Sequence, residues 1–229
     1  MKIVVSFLNF FSSLLLPSLF FFFFFLSSSS SLSLLLLLLL LFCFVSQIDP
    51  FGHSSVAHRH FLEMGFKATV GCRVDYPLKD LFQRTRTLEF VWHPSQSAPD
   101  RAIYTHILDQ YGYSTYPLGF EFDGGSIPIT EQNVRHHAEK LVDAIKKRAQ
   151  WFRTPNVMMP WGNDFQHYNA VVDFNNMDKV LDYINADPSF GVTMKYATLS
   201  EFFEAQAQVN ITWPTRNSSD FFPYARFFY

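Results

Sequence analysis

Two acidic residues stand in turns of the kind that often carry catalytic side chains. Asp49 opens a turn containing Pro and Gly, and Asp164 follows the short apolar run at 157–159. Two carboxylates at strand ends can converge on one pocket and serve as catalytic groups there. Asp is also common in turns because it bonds its own backbone there, so neither residue is informative alone.

Three histidines near Asp49 suggest metal ligands at first sight. His58 and His60 lie two positions apart, and residues two apart on a helix point to different faces. We therefore interpret these two as surface residues, or as residues that support ligands from behind. His53 lies in the same turn as Asp49, where it is better placed to contact that residue and hold it in position than to bind a metal itself.

The elements that must position these residues alternate between helices and strands. Helices are predicted at 55–64 (ended by Gly65), at 130–151 with Thr130 as N-cap, around 177–184, and at 198–208 behind a Thr198/Glu201 capping box; strands are predicted at 67–70, 157–159 and 192–197. Such alternation implies parallel pairing in an α/β architecture, with ligands at the carboxyl ends of the strands. The Gly- and Pro-rich stretch 116–129 reads as a surface loop.

The first 47 residues differ in kind from the rest of the chain. They are almost entirely Phe, Leu and Ser, with unbroken runs at 20–25 and 34–41, and Lys2 is the one charge before Asp49. All three residue types have pyrimidine-rich codons, and a Gln47 codon can end in AG, as the region upstream of a splice acceptor does. We therefore divide the chain at 47/48 and interpret 1–47 as translated intron. The alternative is a genuine signal-anchor, which hydropathy alone would call transmembrane.

Composition excludes several classes of function. The net charge is -2 with acids and bases interleaved, so nucleic acid is not an expected partner. The only cysteines, Cys43 and Cys72, exclude a disulfide framework and a cysteine-based zinc site, and Cys72 is expected to be a small buried hydrophobe. Two glycosylation acceptor triplets, at Asn210 and Asn217, favour the secretory pathway.

The octapeptide at 47–54, QIDPFGHS, resembles the metal and nucleophile segment of glycoside hydrolase family 38, the alpha-mannosidases. Further segments of this chain resemble family segments that occur in the same order. They lie at 89–92, 151–154, 160–165, 175–178, 196–198, 210–213 and 220–224, so the resemblance covers Ile48 to Arg226. The details at 109–111 and 160–162 look closest to the lysosomal class, in its epididymis-specific-like branch.

This resemblance implies a zinc-dependent retaining hydrolase of terminal alpha-mannosyl linkages in N-glycans, located in the lysosome or secreted. The implied fold is an α/β barrel of about seven parallel strands, of which this chain would hold a part truncated at both ends. By position, Asp49 matches the nucleophile that also binds zinc, and Asp164 matches the acid/base. Phe51, Arg73 and Tyr113 match substrate-binding residues. The two carboxyl groups are expected roughly 5 to 6 Å apart, as in retaining enzymes.

The chain also departs from the family pattern. The His-x-Asp pair that should precede Asp49 is absent, and the His of a later His-His-Asp motif would lie beyond Tyr229. Zinc would therefore keep one protein ligand of the four that the family uses, and we expect this chain alone to be inactive. The alternative function is a non-catalytic truncated product. A metal-dependent deacetylase on a similar barrel would need two His on one helix face, which the sequence lacks. A membrane would be a partner only if 1–47 is a real anchor.

Overall fold

The computed structural model describes residues 3–8, 44–113, 128–162, 167 and 170–220. Along the chain these residues form the strands and helices β1 (Ile3–Leu8), β2 (Phe44–Gln47), α1 (Ser55–Glu63), β3 (Ala68–Gly71), α2 (Tyr76–Thr85), β4 (Glu89–Trp92), β5 (Ile103–Ile107), α3 (Val134–Ala149), β6 (Asn156–Pro160), α4 (Ala170–Ala186), β7 (Val192–Tyr196), α5 (Leu199–Ala207) and β8 (Thr215–Arg216). The α/β class predicted from the sequence is confirmed.

The strands pair into two sheets, with orders β6-β1-β7 and β2-β3-β5-β4-β8. Every pair is parallel except β4 with β5, which run antiparallel with Glu89 opposite His106. The expectation of purely parallel pairing is therefore wrong at this pair. The connection at 93–102 is too short for the helical crossover that parallel neighbours require, so the chain turns back on itself.

The described strands do not by themselves confirm a seven-stranded barrel, since they form one three-stranded and one five-stranded sheet. The strand that precedes Asp49 is β2, built from residues 44–47 of the segment that the sequence set apart. The division at 47/48 and the intron interpretation stay predictions. Within the described part of the chain, no helix is long and apolar enough to cross a membrane.

Local signals explain where most helices begin and end. Ser54 caps α1, accepting a hydrogen bond from the Val56 backbone N–H at 3.2 Å, and Gly65 ends it with a φ of +92°. Thr198 and Glu201 form the predicted capping box of α5. Helix α3 begins four residues after Thr130, behind a turn at 131–133.

Helix α2 was not predicted from the sequence. Its first residues, Tyr76 and Pro77, carry the signal that could have located it, because proline is favoured at the first helical position. Asp75, interpreted as a structural turn residue, stands at the N-cap of this helix. The loop predicted at 116–129 falls largely outside the described residues.

Three apolar clusters hold the elements together. One lies between α3, α4 and strands β6 and β7, and a second packs β4 and β5 around Trp92. The third joins the two sheets, because Val70 of β3 and Met158 of β6 share it with Phe202 of α5. Trp92, Val70, Met158 and Phe202 are at most 1% exposed, and burial of the three clusters is the main stabilisation of the fold.

A chain of buried polar groups also connects β4 to α5. The Gln206 amide donates to Glu89 Oε1 at 2.7 Å and accepts from the Thr154 hydroxyl at 2.7 Å. His106 Nδ1 lies 2.8 Å from the same Glu89 oxygen, and its ring stacks on Phe152 at 5.2 Å. Buried hydrogen bonds of this kind fix the relative position of the elements they join.

Candidate active site

Asp49 lies in the turn that follows β2, and its side chain is 59% exposed. The turn continues through Gly52, whose φ of +143° suits a residue without a Cβ, into the Ser54 cap of α1. The backbone N–H of Ser55 also donates to Asp220 Oδ1 at 2.7 Å, which fixes the far end of the turn. The carboxylate is thus presented to solvent from a backbone anchored on both sides.

Arg73 reaches Asp49 from the segment after β3. Its Nε donates to Asp49 Oδ1 at 2.6 Å, and its terminal Nη2 pairs with the same oxygen. Because β2 and β3 are parallel neighbours, both side chains leave the same edge of the sheet. Charge-assisted hydrogen bonds of this kind are the stronger ones in proteins, so they hold the carboxylate in one orientation.

Tyr113 and Phe51 complete the cluster. The Tyr113 hydroxyl donates to Asp49 Oδ1 at 3.0 Å and accepts from Arg73 Nη2 at 3.2 Å. The Arg73 guanidinium carbon lies 4.7 Å from the Phe51 ring centroid. Phe51 is 59% exposed, an unusual position for a large apolar ring, and it supplies an apolar face beside the polar groups.

These four side chains come from three separate stretches of sequence: the turn after β2, the segment after β3 and the loop after β5. The chain order β2-β3-β5 is also their order in the sheet, so the three stretches meet at one edge. The structure therefore brings together Asp49, Phe51, Arg73 and Tyr113, although their roles in catalysis and substrate binding stay predictions.

Buried groups behind the cluster fix the loop that carries Tyr113. The Lys79 ammonium donates to the carbonyl of Cys72, and Asp109 pairs with Arg148 across 3.2 Å between Oδ2 and Nε. Burial raises the pKa of the Cys72 thiol, which stays protonated and apolar, as predicted for a small buried hydrophobe. Sequence reasoning did not single out Lys79 or the Asp109–Arg148 pair, since only the fold shows that these charges are buried.

His53 supports the site from below. The side chain is 2% exposed and hydrogen-bonds to the backbone of Arg73. Its ring lies against Gly71, where an added Cβ would come within 3.1 Å of Cε1. Burial, followed by the nearby charges of His58 and Lys79, lowers the pKa of His53 to about 4, so the imidazole is neutral near pH 7.

The other two histidines separate into a buried and an exposed residue. His60 is exposed and pairs with Glu63 at 3.0 Å, in agreement with a surface position. His58 is 1% exposed, so the surface interpretation is wrong for it. Its Nδ1 donates to the Ser54 carbonyl at 2.8 Å and its ring lies 4.3 Å from Trp92, which makes it part of the packing under α1.

The residues present at Asp49 do not fit a zinc site by themselves. Among the described residues, no three His, Cys, Asp or Glu side chains come together as possible ligands. Asp49 Oδ1 is engaged by Arg73 and Tyr113, whose donors compete with a cation for that oxygen. Structural and catalytic zinc sites use three or four protein ligands, so Asp49 would need ligands from outside these residues.

Asp164, predicted as the acid/base, lies outside the described residues. The strand before it is described: β6 is buried along its whole length, as predicted from its apolar run, and it ends at Pro160. The predicted glycosylation sites, Asn210 and Asn217, are both exposed. Glycosylation of these two residues is a prediction that their exposure permits.

Fold and site together define a class: an α/β protein with an exposed carboxylate beside a half-buried guanidinium and phenol, at the carboxyl edge of its strands, where such folds place active sites. The chain belongs to glycosyl hydrolase family 38, since the profile of the family's N-terminal domain matches residues 43–226.

Relatives of this chain are alpha-mannosidases by name. The human epididymis-specific alpha-mannosidase is 42% identical over 78% of this chain, and alpha-mannosidase C of Dictyostelium discoideum is 38% identical over 73%. The lysosomal alpha-mannosidase of Cavia porcellus is 34% identical over 78%. The chain spans about a fifth of the length of these relatives, between 18% and 20%.

A solved structure supports the fold. The crystal structure of an alpha-mannosidase from Enterococcus faecalis V583 superposes on 78% of this chain with a TM-score of 0.54 and 16% sequence identity. The matched region is 18% of that chain. At this identity the likeness concerns the α/β fold alone.

Proposed function

We propose that this chain carries part of the active site of a zinc-dependent retaining alpha-mannosidase that hydrolyses terminal alpha-mannosyl linkages of N-glycans. The observation that carries the proposal is the convergence of Arg73 and Tyr113 on one oxygen of the exposed Asp49 carboxylate. A nucleophilic carboxylate needs a fixed orientation and an open approach, and this arrangement supplies both.

In this proposal Asp49 attacks the anomeric carbon as the bond to the leaving oxygen breaks. Asp164 protonates that oxygen, then takes a proton from water as the water displaces Asp49 and restores both carboxyl groups. Arg73 and Tyr113 hold Asp49 through Oδ1. Phe51 offers its exposed ring to the apolar face of the sugar, the usual complement to hydrogen-bonding groups in a binding site.

The zinc dependence belongs to the proposal for the complete protein. A bound zinc ion would template the sugar hydroxyls, and Asp49 is the one described residue assigned to it. Further ligands must come from outside the described residues, and the closure of the strands into a seven-stranded barrel is part of the same proposal. By analogy with relatives named lysosomal, we place the protein in the secretory pathway or the lysosome, with mannose-containing N-glycans as its substrates.

The alternative proposal is a non-catalytic product. It is favoured by the metal-site finding: among the described residues, Asp49 belongs to no group of three or more possible metal ligands. The two proposals differ in whether residues 43–226 support hydrolysis once they are joined to the remaining parts of a family 38 enzyme.

A chimera tests this difference. Residues 43–226 would replace the matching segment of the human epididymis-specific alpha-mannosidase, and hydrolysis of an aryl alpha-mannoside would be measured. The proposal expects turnover that Asp49→Asn removes while the circular dichroism spectrum is unchanged. A folded chimera without turnover would support the non-catalytic alternative, as would turnover that survives Asp49→Asn.

A further inference from the structure

Helix α2 turns two polar side chains toward the interior, although the polar residues on its outer face are exposed. Lys79 and Gln83 lie four residues apart on one face of the helix and are 6% and 5% exposed. Asp80 and Arg84, each one position further along, are exposed and pair with each other. Burial of a lysine or a glutamine costs free energy unless its polar atoms find partners, so the partners indicate what these two residues do.

The amine of Lys79 joins the segment after β3 to the loop after β5. It donates to the carbonyl of Cys72, the residue before Arg73, and it also donates to the carbonyl of Asp109 at 3.4 Å. Burial lowers the pKa of Lys79, but a neutral amine still has two N–H groups for the two carbonyls. The connection between the two loops therefore does not depend on the protonation state of Lys79.

Gln83 holds the second of these loops at the next residue. Its Oε1 accepts from the backbone N–H of Gln110 at 2.7 Å. The Asp109 carbonyl also accepts from the backbone N–H of Gly112 at 3.0 Å, which closes the turn immediately before Tyr113. The buried side chains of α2 therefore hold the turn that presents this phenol to the candidate site.

The two loops also touch each other directly. A Cβ on Gly112, whose φ is +63°, would lie 3.2 Å from the Cys72 sulfur, so the second loop packs closely on the first. Arg73 Nη2 donates to the Tyr113 hydroxyl at 3.2 Å, and both side chains converge on Asp49 Oδ1. A shift of either loop would therefore change how the carboxylate is held.

We propose that Lys79 and Gln83 are positioning residues for the candidate site. From α2 they fix the loops whose Arg73 and Tyr113 side chains orient Asp49. This assignment rests on the proposed role of Asp49 as the nucleophile, because attack needs the carboxylate in line with the anomeric carbon, and a misplacement of about 1 Å can cost about 100-fold in rate. Lys79 and Gln83 bind backbone groups, so their effect on the carboxylate passes through the two loops.

The first test measures how firmly Arg73 is held in the full 229-residue chain. Exchange of the Arg73 Nε–H with solvent, followed by NMR, should accelerate at least about 10-fold in Lys79→Met and at least about 3-fold in Gln83→Met, because the loops open more easily. Gln83→Met keeps the Lys79 bonds, so it gives a result even where Lys79→Met does not fold. Arg84→Met is the matched control on the same helix, since Arg84 is exposed and pairs with Asp80. Exchange as slow as in this control would overturn the proposal.

An internal reference separates positioning from a loss of global stability. The indole N–H of the buried Trp92 bonds to the Asn217 carbonyl at 3.1 Å. Global unfolding exposes both N–H groups, so a merely structural role for Lys79 would accelerate their exchange by the same factor. The proposal expects acceleration at Arg73 with the Trp92 rate unchanged, and a common factor for the two groups would overturn it.

The second test connects position to turnover in the chimera that carries residues 43–226. Lys79→Met and Gln83→Met should each lower kcat about 10- to 100-fold with KM nearly unchanged, whereas Arg84→Met should keep the parent rate. In a Tyr113→Phe background, Gln83→Met should cost less than about 2-fold more, because the hydroxyl that it positions is already gone. Additive losses in kcat would overturn an action of Gln83 through Tyr113.

The two tests keep this proposal distinguishable from the proposed function. If the parent chimera shows no turnover, the proposed function fails. The exchange rates of the Arg73 and Trp92 N–H groups in the 229-residue chain still decide whether α2 holds the two loops.

Discussion

Replacement of Arg148 by methionine should destabilise the chain far more than the same change elsewhere on α3. Arg148 and Asp109 are 2% and 3% exposed and pair across 3.2 Å. After Arg148→Met, the Asp109 carboxylate stays buried but has lost its cation. The Tyr111 backbone N–H, which donates to Asp109 Oδ1 at 2.9 Å, stays in place. Removal of one partner from a buried pair costs about 3–5 kcal/mol.

The expected loss converts into a measurable change in thermal stability. For domains of about 150–250 residues, each kcal/mol moves Tm by about 2–4 °C, so Arg148→Met should lower Tm by about 6–20 °C. Circular dichroism melting curves would measure this, with Arg135→Met as the control. Arg135 lies on the same helix and pairs with Glu139, but its side chain is 75% exposed. Its replacement should leave Tm within experimental error.

A double replacement separates the cost of an unpaired buried charge from the cost of changed side-chain volume. Asp109→Leu combined with Arg148→Met removes both charges, so it should be less destabilising than Arg148→Met alone. The reasoning is refuted if Arg148→Met melts within error of Arg135→Met. It is refuted equally if the double variant loses the sum of the two single effects, because the charges would then not be coupled.

Three further predictions concern the support of the site and one helix cap. The pKa of His53 is lowered to about 4 in the folded chain, against 6.5 for an ordinary histidine. As the pH falls from 6.5 to 4, the unfolded chain therefore binds a proton at this residue that the folded chain does not. The free energy of unfolding should fall by about 3 kcal/mol over that range. Melting curves across this range should show that His53→Gln flattens the loss, and an unchanged slope would contradict it. Gly71→Ala should cost about 1–3 kcal/mol in urea unfolding, because its Cβ would lie 3.0 Å from Ile107 Cδ1; a neutral result would mean that the strand shifts freely. Thr198→Ala should cost about 1 kcal/mol through the cap it shares with Glu201, and full stability would show that the cap is dispensable.

Much of the fold could be predicted because its signals are local. The Gly65 stop, the Thr198 capping box and the apolar run of β6 each depend on neighbouring residues, and each element lies within a residue or two of its predicted position. The antiparallel β4–β5 pair could not be predicted in this way. Its strands were not recognised, and their pairing depends on a connection length that matters only once both strands are known.

The candidate site also has one part that could be predicted from the sequence and one part that only the fold shows. Asp49, Phe51, Arg73 and Tyr113 were assigned from the resemblance to a family, and the structure brings their side chains together at one sheet edge. The buried charged residues behind them were not predicted, because the sequence alone does not show which charged side chains are buried. Arg148 reads as one more cation in a basic helix end, and only tertiary packing makes it a buried partner of a carboxylate.

The most direct test of the central claim is to trap the covalent intermediate. The chimera would be incubated with a fluorinated mannosyl fluoride, which slows the second displacement, and then digested for peptide mapping by mass spectrometry. The account predicts one mannosyl adduct, on the peptide that contains Asp49, and none in the Asp49→Asn variant. A mannosyl adduct on another carboxylate, or steady turnover that inverts the anomeric centre, would contradict the assignment of Asp49 as the nucleophile.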